Sequence, residues 1–176
     1  DKIRKKVRGI TEAEGYRDLE AELAVANFLV RERRFAVEYE KYGTGRQRGP
    51  DFSVTYKTHL RFDVEVARVR GVPPGAAPDP AKLAGTILVK LPQLPPAMIN
   101  LLVIAAGDAP CDDDNSPASA LRAATALLQQ RAERKDDDYF AHRGYLGARD
   151  FHRHYARLSA IRLVTPAAPP TLLLNP

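Results

Sequence analysis

The sequence predicts an α/β protein in which a mixed β-sheet is flanked by helices. Residues 11–33 repeat apolar side chains every three or four positions, as an amphipathic helix does. Three short segments after it alternate apolar and polar residues, which is typical of half-buried strands. Residues 100–105 form a continuous apolar run, which indicates a strand buried on both faces. These patterns predict one layered domain over residues 1–176.

The first half of the chain predicts one helix and a three-stranded meander. Residues Thr11 to Glu14 resemble a capping box, so the helix is expected to begin there and to end near Arg33. Its apolar face is predicted from the spacing of Leu19, Leu23, Ala26 and Val30. The alternating segments predict strands at 35–40, 52–56 and 62–66.

The second half predicts two helices and further strands. Residues 71–80 are rich in proline and glycine and are expected to form a loop. A helix should follow and stop at Pro92, and Ser116 should cap another helix that ends near Arg134. The remaining predicted strands lie at 100–105, 158–164 and 171–174.

Composition excludes several classes of protein. The single cysteine, Cys111, rules out a disulfide framework, and no apolar run approaches the ~18 residues of a membrane span. The charged first residues do not resemble a signal peptide, so we expect a cytoplasmic protein. The net charge of +5 favours a polyanion such as nucleic acid, with Arg46, Arg48 and Lys57 as candidate contacts. Without tryptophan, no base-stacking platform is indicated.

The chemistry is predicted from acidic residues on neighbouring strands. Asp63, Glu65 and Ala67 share one face of the third strand, because side chains alternate across a strand. If Asp51 begins the preceding strand, its carboxylate meets that of Glu65 across the ladder. Two such carboxylates repel each other unless a cation lies between them, and Mg²⁺ prefers oxygen ligands of this kind.

This pattern resembles the PD-(D/E)XK nuclease superfamily over about residues 11–105. Pro50 and Asp51 match the PD element, and Glu65 matches the acidic residue of the next strand. Glu22 matches the helix glutamate, with Glu20 as the alternative. The resemblance implies a restriction-endonuclease-like core with a C-terminal helix and strand extension. It also implies hydrolysis of phosphodiesters with Mg²⁺ held by Asp51, Glu65 and Glu22.

One position departs from the family pattern. Two residues after Glu65, where the family places a lysine that orients water and stabilises charge, the chain has Ala67. Arg68, Lys57 and Lys90 are alternatives, and we predict Lys90, which should share a helix face with Gln93. The missing lysine also favours a second hypothesis, in which the same fold is a non-catalytic module that binds nucleic acid or protein. The third hypothesis, an unrelated α/β protein, has no motif of its own.

Overall fold

A six-stranded mixed sheet forms the centre of the protein. The computed structural model describes residues 2–40, 49–73, 76–106, 116–165 and 168–175. The strands, which lie side by side in chain order, are β1 (Phe35–Tyr39), β2 (Phe52–Tyr56), β3 (Leu60–Arg68), β4 (Ile99–Ala105), β5 (Ala160–Thr165) and β6 (Ala168–Leu174). The first three are antiparallel, β4 and β5 run parallel to β3, and β6 is antiparallel to β5. The predicted α/β class with a mixed sheet is confirmed.

Helices cover both faces of this sheet. They are α1 (Lys2–Gly9), α2 (Ala13–Arg31), α3 (Pro80–Lys90), α4 (Pro117–Glu133), α5 (Asp137–Ala141) and α6 (Ala148–Tyr155). A 3₁₀ turn, Leu91–Gln93, follows α3, so Gln93 does not continue the helix face of Lys90 as predicted. The sequence predicted α2, α3 and α4. The three short helices α1, α5 and α6 were not predicted.

Two of the helix starts are capped as their sequences suggest. Asp79 accepts a hydrogen bond from the amide of Ala81, and Ser116 accepts one from the amide of Ser119. The capping box at Thr11 was a wrong prediction. Helix α2 has Glu12 at its N-cap, and that side chain makes no capping hydrogen bond.

The buried face of α2 also differs from the prediction. Leu19, Glu22 and Leu29 face the sheet, whereas Leu23 and Val30, both expected to be buried, are 42% and 60% exposed. The helix is therefore rotated so that a carboxylate replaces one apolar residue of the expected stripe. This rotation brings Glu22 toward the strands.

Two separate apolar cores lie on the two faces of the sheet. Helices α3, α4 and α6 pack together over one face, and we call the cluster beneath them the α3-side core; it includes Leu83, Ile87, Leu88, Leu102, Phe140 and Phe151. Helix α2 packs on β1 and β3 over the other face. Its cluster, the α2-side core, consists of Leu29, Phe52, Val54, Val64, Val66 and Val103.

Strand β4 has the central place that its apolar sequence predicts. It lies between β3 and β5, and its residues Leu102 and Ile104 are fully buried. The strands at 52–56 and 62–66 pair with each other, also as predicted. None of the described helices is both long and apolar enough to cross a membrane.

Candidate functional site

Asp51 lies at the point where β2 begins. The antiparallel register of β2 and β3 places it opposite Glu65, as the sequence predicted. Its Oδ2 accepts a hydrogen bond of 2.8 Å from the amide of Val66, the residue after Glu65. Its carbonyl oxygen accepts one of 2.7 Å from the amide of Glu40 at the end of β1. The Val66 amide therefore holds the carboxylate, and the Glu40 amide holds the backbone of the same residue.

Glu65 is a buried carboxylate that contacts Lys90. Its side chain is 1% exposed, and Nζ of Lys90 donates a hydrogen bond of 2.5 Å to Oε1. Within the described part of the chain, Oε2 has no hydrogen-bond partner. A buried acceptor without a partner is costly, so this atom is suited to a ligand.

Lys90 is the residue predicted to replace the missing lysine, and the structure places it against Glu65. It is the last residue of α3, which packs over the same face of β3. Ala67 lies on that face two residues beyond Glu65, is 6% exposed and lines the same cleft as Lys90. The small side chain at position 67 thus leaves room for a lysine that comes from the helix.

The two central carboxyl groups hold their protons more tightly than usual. Burial, followed by the charge of Glu22, raises the pKa of Asp51 to about 6. Burial, followed by the charge of Asp51, raises the pKa of Glu65 to about 7, although Lys90 opposes this rise. Both carboxyl groups therefore stay protonated to a higher pH than usual, and shifts of this kind are typical of functional sites.

Glu22, and not Glu20, is the residue of α2 that belongs to the site. Glu22 is 9% exposed and influences the pKa of Asp51, whereas Glu20 lies on the exposed side of the helix. Both oxygens of Glu22 accept hydrogen bonds from Nζ of Lys6, at 2.8 and 2.6 Å. Tyr39 donates a further hydrogen bond of 3.2 Å to Oε2. Glu22 is therefore already bound to a cation of the chain itself.

Asp63 shares the face of Glu65, as predicted, but belongs to the interior of the fold. Its side chain is fully buried, and Oδ1 accepts a hydrogen bond of 2.6 Å from Ser53. It lies beside Asn100 of β4, which is also fully buried. The contact between Ser53 and Asp63 joins β2 to β3 inside the fold, so we assign Asp63 a structural role.

Arg68, one of the alternatives to Lys90, forms ion pairs with residues of α2 and does not contact Glu65. Its guanidinium makes ion pairs with Glu14 and, at 3.0 Å, with Asp18. Both partners belong to α2, on the opposite face of β3 from Glu65. Arg68 therefore joins α2 to the end of β3.

The candidate nucleic-acid contacts lie away from the two carboxylates or beyond the described residues. Lys57 follows the far end of β2, is exposed and places its ammonium 5.3 Å from the ring centre of Tyr56. It is therefore not a substitute for the missing lysine. Arg46 and Arg48 lie outside the described residues.

An open cleft lies between α2, α3 and the last residues of β3. Glu22 and Lys90 line it, whereas Asp51 and Glu65 are not among its lining residues. Its volume is about 790 Å³. The cationic residues that line it are Lys6, Arg68, Arg70, Lys82, Lys90 and Arg143, against the acidic Asp18 and Glu22. Sequence reasoning missed Lys6, Lys82 and Arg143. Lys82 precedes Lys90 by about two turns of α3, a spacing that could have identified it.

The residues present fit a divalent cation only in part. Within the described ranges, no group of three or more histidine, cysteine or acidic side chains is arranged to hold a metal ion. Lys6 occupies both oxygens of Glu22, so the three-carboxylate set remains a prediction. Asp51 and Glu65 do suit a cation, because Asp51 is a half-buried and Glu65 a fully buried carboxylate, and Oε2 of Glu65 has no partner among the described residues.

Comparison with protein family models, with curated proteins and with solved structures gives no match.

Proposed function

We propose that the protein is a divalent-cation-dependent phosphodiesterase of the PD-(D/E)XK type that acts on nucleic acid. The observation that carries this proposal is the convergence of Lys90 on Glu65, whose second oxygen is buried and unpartnered. The element order supports it as well. A helix, three antiparallel strands, a helix and a parallel strand follow one another, as the resemblance implies.

The cation would be held by Asp51 and Glu65. The backbone engages Oδ2 of Asp51 and Lys90 engages Oε1 of Glu65, so each carboxylate keeps one oxygen for a further partner. Water molecules would complete the ligand shell of Mg²⁺, which commonly keeps several. When bound, the ion supplies positive charge next to the phosphate and a site at which water loses a proton more readily.

Lys90 would act on the attacking water and on the phosphate. During hydrolysis, the water oxygen forms a bond to phosphorus while the bond from phosphorus to the leaving oxygen breaks. Negative charge grows on the phosphate oxygens in that step. An ammonium fixed beside Glu65 orients the water by a hydrogen bond and stabilises this charge. Its partial burial, at 24% exposure, strengthens that stabilisation relative to a fully hydrated lysine.

The cleft favours a polyanionic substrate. Its cationic residues outnumber its acidic ones. Lys82 donates a hydrogen bond to the carbonyl oxygen of Gly71, and Arg143 donates one to that of Tyr139, so neither bond neutralises a charge. These cations remain available to phosphate, whereas Arg68 and Arg70 are paired with Asp18. Contacts of this kind bind a nucleic-acid backbone without reading its sequence.

Cleavage assays test this proposal. Wild type, Lys90→Met and the exposed control Lys135→Met would be incubated with single-stranded DNA, double-stranded DNA and RNA, with Mg²⁺ or with EDTA. We expect wild type and Lys135→Met to cleave at the same rate with Mg²⁺. Lys90→Met should lose activity by ~10²-fold or more, since it lacks the positioned charge. Cleavage that resists EDTA, or full activity in Lys90→Met, would contradict the proposal.

A second candidate function is binding without cleavage, and Ala67 is the observation that favours it. If wild type binds DNA in EDTA but does not cleave it with Mg²⁺, the fold is a binding module. Introducing the family lysine by Ala67→Lys is a poor rescue, because position 67 is buried in the α3-side core. We therefore expect Ala67→Lys to lower stability, whichever function holds.

A further inference from the structure

The N-terminal helix α1 reaches the site through one side chain. Nζ of Lys6 lies 2.6 and 2.8 Å from the two oxygens of Glu22 and 3.8 Å from Oε1 of Glu40. Its ammonium is also 5.7 Å from the ring centre of Tyr39, whose hydroxyl donates to Glu22. Burial lowers the pKa of Lys6, but its hydrogen bonds to Glu22 and Tyr39 leave the pKa above the ordinary value. Lys6 is thus a charged ammonium enclosed by oxygen atoms.

The rest of α1 does not explain this contact. Five of its eight residues are basic, and of the side chains described in this helix, Lys6 alone is not exposed. Ile3 and Val7 are 36% and 38% exposed, so α1 buries little apolar surface. The ion pair with Glu22 therefore holds α1 in place, and it is not a by-product of apolar packing.

Lys6 lies at one end of a row of charged groups, in which three carboxyl groups stand between two lysines. Along the site the groups follow in the order Lys6, Glu22, Asp51, Glu65 and Lys90. The charge of Glu22 raises the pKa of Asp51, while Lys6 and Lys90 lower it. When all five groups are ionised, three carboxylates face two ammonium groups, which leaves one negative charge. That charge lies between the two lysines, at Asp51 and Glu65.

The oxygen atoms around Lys6 would also suit a metal ion. Carboxylate and phenol oxygens are hard ligands, and the two oxygens of Glu22 contact a cation together. A divalent cation and an ammonium cannot both occupy this position, because their charges repel each other at contact distance. The ammonium thus stands where a second cation would be bound.

We propose that Lys6 is an internal counter-ion that takes the place of a second divalent cation at Glu22. The site then holds one divalent cation, between Asp51 and Glu65, and Glu22 contributes through its charge. The proposal rests on the proposed function, because it assigns the first cation to Asp51 and Glu65. Lys6 would thereby set the number of bound cations. It belongs to α1, which precedes residues 11–105, the part of the chain that resembles the nucleases.

Counting bound Mn²⁺ tests the proposal. Isothermal titration and the electron paramagnetic resonance of free Mn²⁺ would give the number of ions per chain for wild type, Lys6→Met and Lys5→Met. Lys5 is the neighbouring lysine of α1, and it is exposed. We expect one ion in wild type and in Lys5→Met, and two ions in Lys6→Met. Lys6→Arg should retain one ion, because it keeps the positive charge.

The outcomes separate this inference from the proposed function. One ion in both wild type and Lys6→Met, with the same affinity, would overturn the role of Lys6 and leave the Asp51–Glu65 site standing. Two ions in wild type would overturn it as well. No ion in wild type but one in Lys6→Met would support the exclusion at Glu22 and overturn the proposed metal site. No ion in either protein would overturn both.

Lys6→Met could change the number of bound ions simply because α1 leaves the surface. A double variant serves as the control for this effect. Lys6→Met with Glu22→Gln loses the same ion pair, so α1 is released equally. We expect this double variant to bind one ion, because the second site has lost its carboxylate. Two ions in the double variant would show that the extra cation does not use Glu22, and would overturn the proposal.

Discussion

The two faces of the sheet are covered to very different extents. Helices α3, α4 and α6 enclose the α3-side core, so that face is well covered. On the other face α2 lies over the first three strands. Leu173 of β6 packs toward the α3-side core, and its neighbours Leu172 and Leu174, which point the other way, are 59% and 70% exposed.

This difference divides the candidate site into a firmly held part and a lightly held part. Glu65 and Lys90 lie on the well-covered face, where a continuous apolar core fixes α3 against β3. Glu22 and Lys6 belong to the lightly covered side, where ion pairs supply much of the contact. The geometry of Lys90 is therefore set by packing, and that of Lys6 by charge.

Matched leucine truncations should show this difference most strongly. Leu88 of α3 and Leu29 of α2 are 1% and 4% exposed and belong to the two different cores. We expect Leu88→Ala to lower the free energy of unfolding by about 3–5 kcal/mol and Leu29→Ala by about 2–3 kcal/mol, because a larger core leaves a less collapsible cavity. Urea denaturation of both variants measures this. An equal or larger loss in Leu29→Ala would contradict the comparison.

The second largest effect is expected in the pH dependence of stability, and it concerns Glu65 on the well-covered face. The pKa of Glu65 rises from 4.5 to about 7 on folding, so between these values the folded chain binds more protons than the unfolded chain. The free energy of unfolding must then fall as pH rises through this range. At about 1.4 kcal/mol per pKa unit, Glu65 accounts for on the order of 2–3 kcal/mol. Glu65→Gln should remove that part of the fall between pH 5 and 8.

Denaturation curves of wild type and Glu65→Gln at several pH values provide the measurement. Titratable groups far from Glu65 contribute equally to both proteins, so their contributions cancel in the comparison. Glu133→Gln, at the exposed end of α4, serves as the control and should keep the wild-type slope. Added Mg²⁺ should recover stability at pH 8 in wild type and in Glu133→Gln, but not in Glu65→Gln. If the free energy of unfolding changes equally with pH in wild type and in Glu65→Gln, ionisation of Glu65 does not affect stability, and the prediction is wrong.

The smallest effect is expected at the ion pairs that join α2 to β3. Arg68→Met removes the contacts with Glu14 and Asp18, both of which are about one-third exposed. Such pairs add little stability, and salt screens them. The melting temperature of Arg68→Met should be slightly below that of wild type at 50 mM NaCl, and most of the difference should vanish at 1 M. Arg61→Met, on an exposed position of β3, is the control. A difference that persists at 1 M NaCl would indicate a packing role for Arg68.

The fold could be predicted wherever hydrophobic periodicity was strong. The strands β1 to β3 and helix α2 repeat apolar residues with a clear period, β4 has an unbroken apolar run, and Pro92 and Ser116 indicated α3 and α4. The structure has these elements close to the predicted ranges. Helix α1 has no apolar stripe, because five of its eight residues are basic. Helices α5 and α6 are only five and eight residues long, too short for a period to stand out.

Part of the candidate site was open to prediction because it depends on local geometry. Strand alternation and a two-strand register bring Asp51 and Glu65 together, and both follow from spacing. The choice between Glu20 and Glu22 needed the rotation of α2, which depends on how the helix packs. Lys6 could not be predicted, because its partner lies 16 residues away on another helix and no pattern relates the two.

The position of Lys90 at the end of α3 has a consequence for how the site is lost. Glu65 belongs to a central strand, whereas Lys90 reaches it only while α3 is docked on the sheet. Proteins open locally in cooperative units before they unfold completely. An opening that releases α3 would separate the ammonium from the carboxylate while the hydrogen bonds between strands persist. The integrity of the site therefore depends on the apolar core that keeps α3 docked on the sheet.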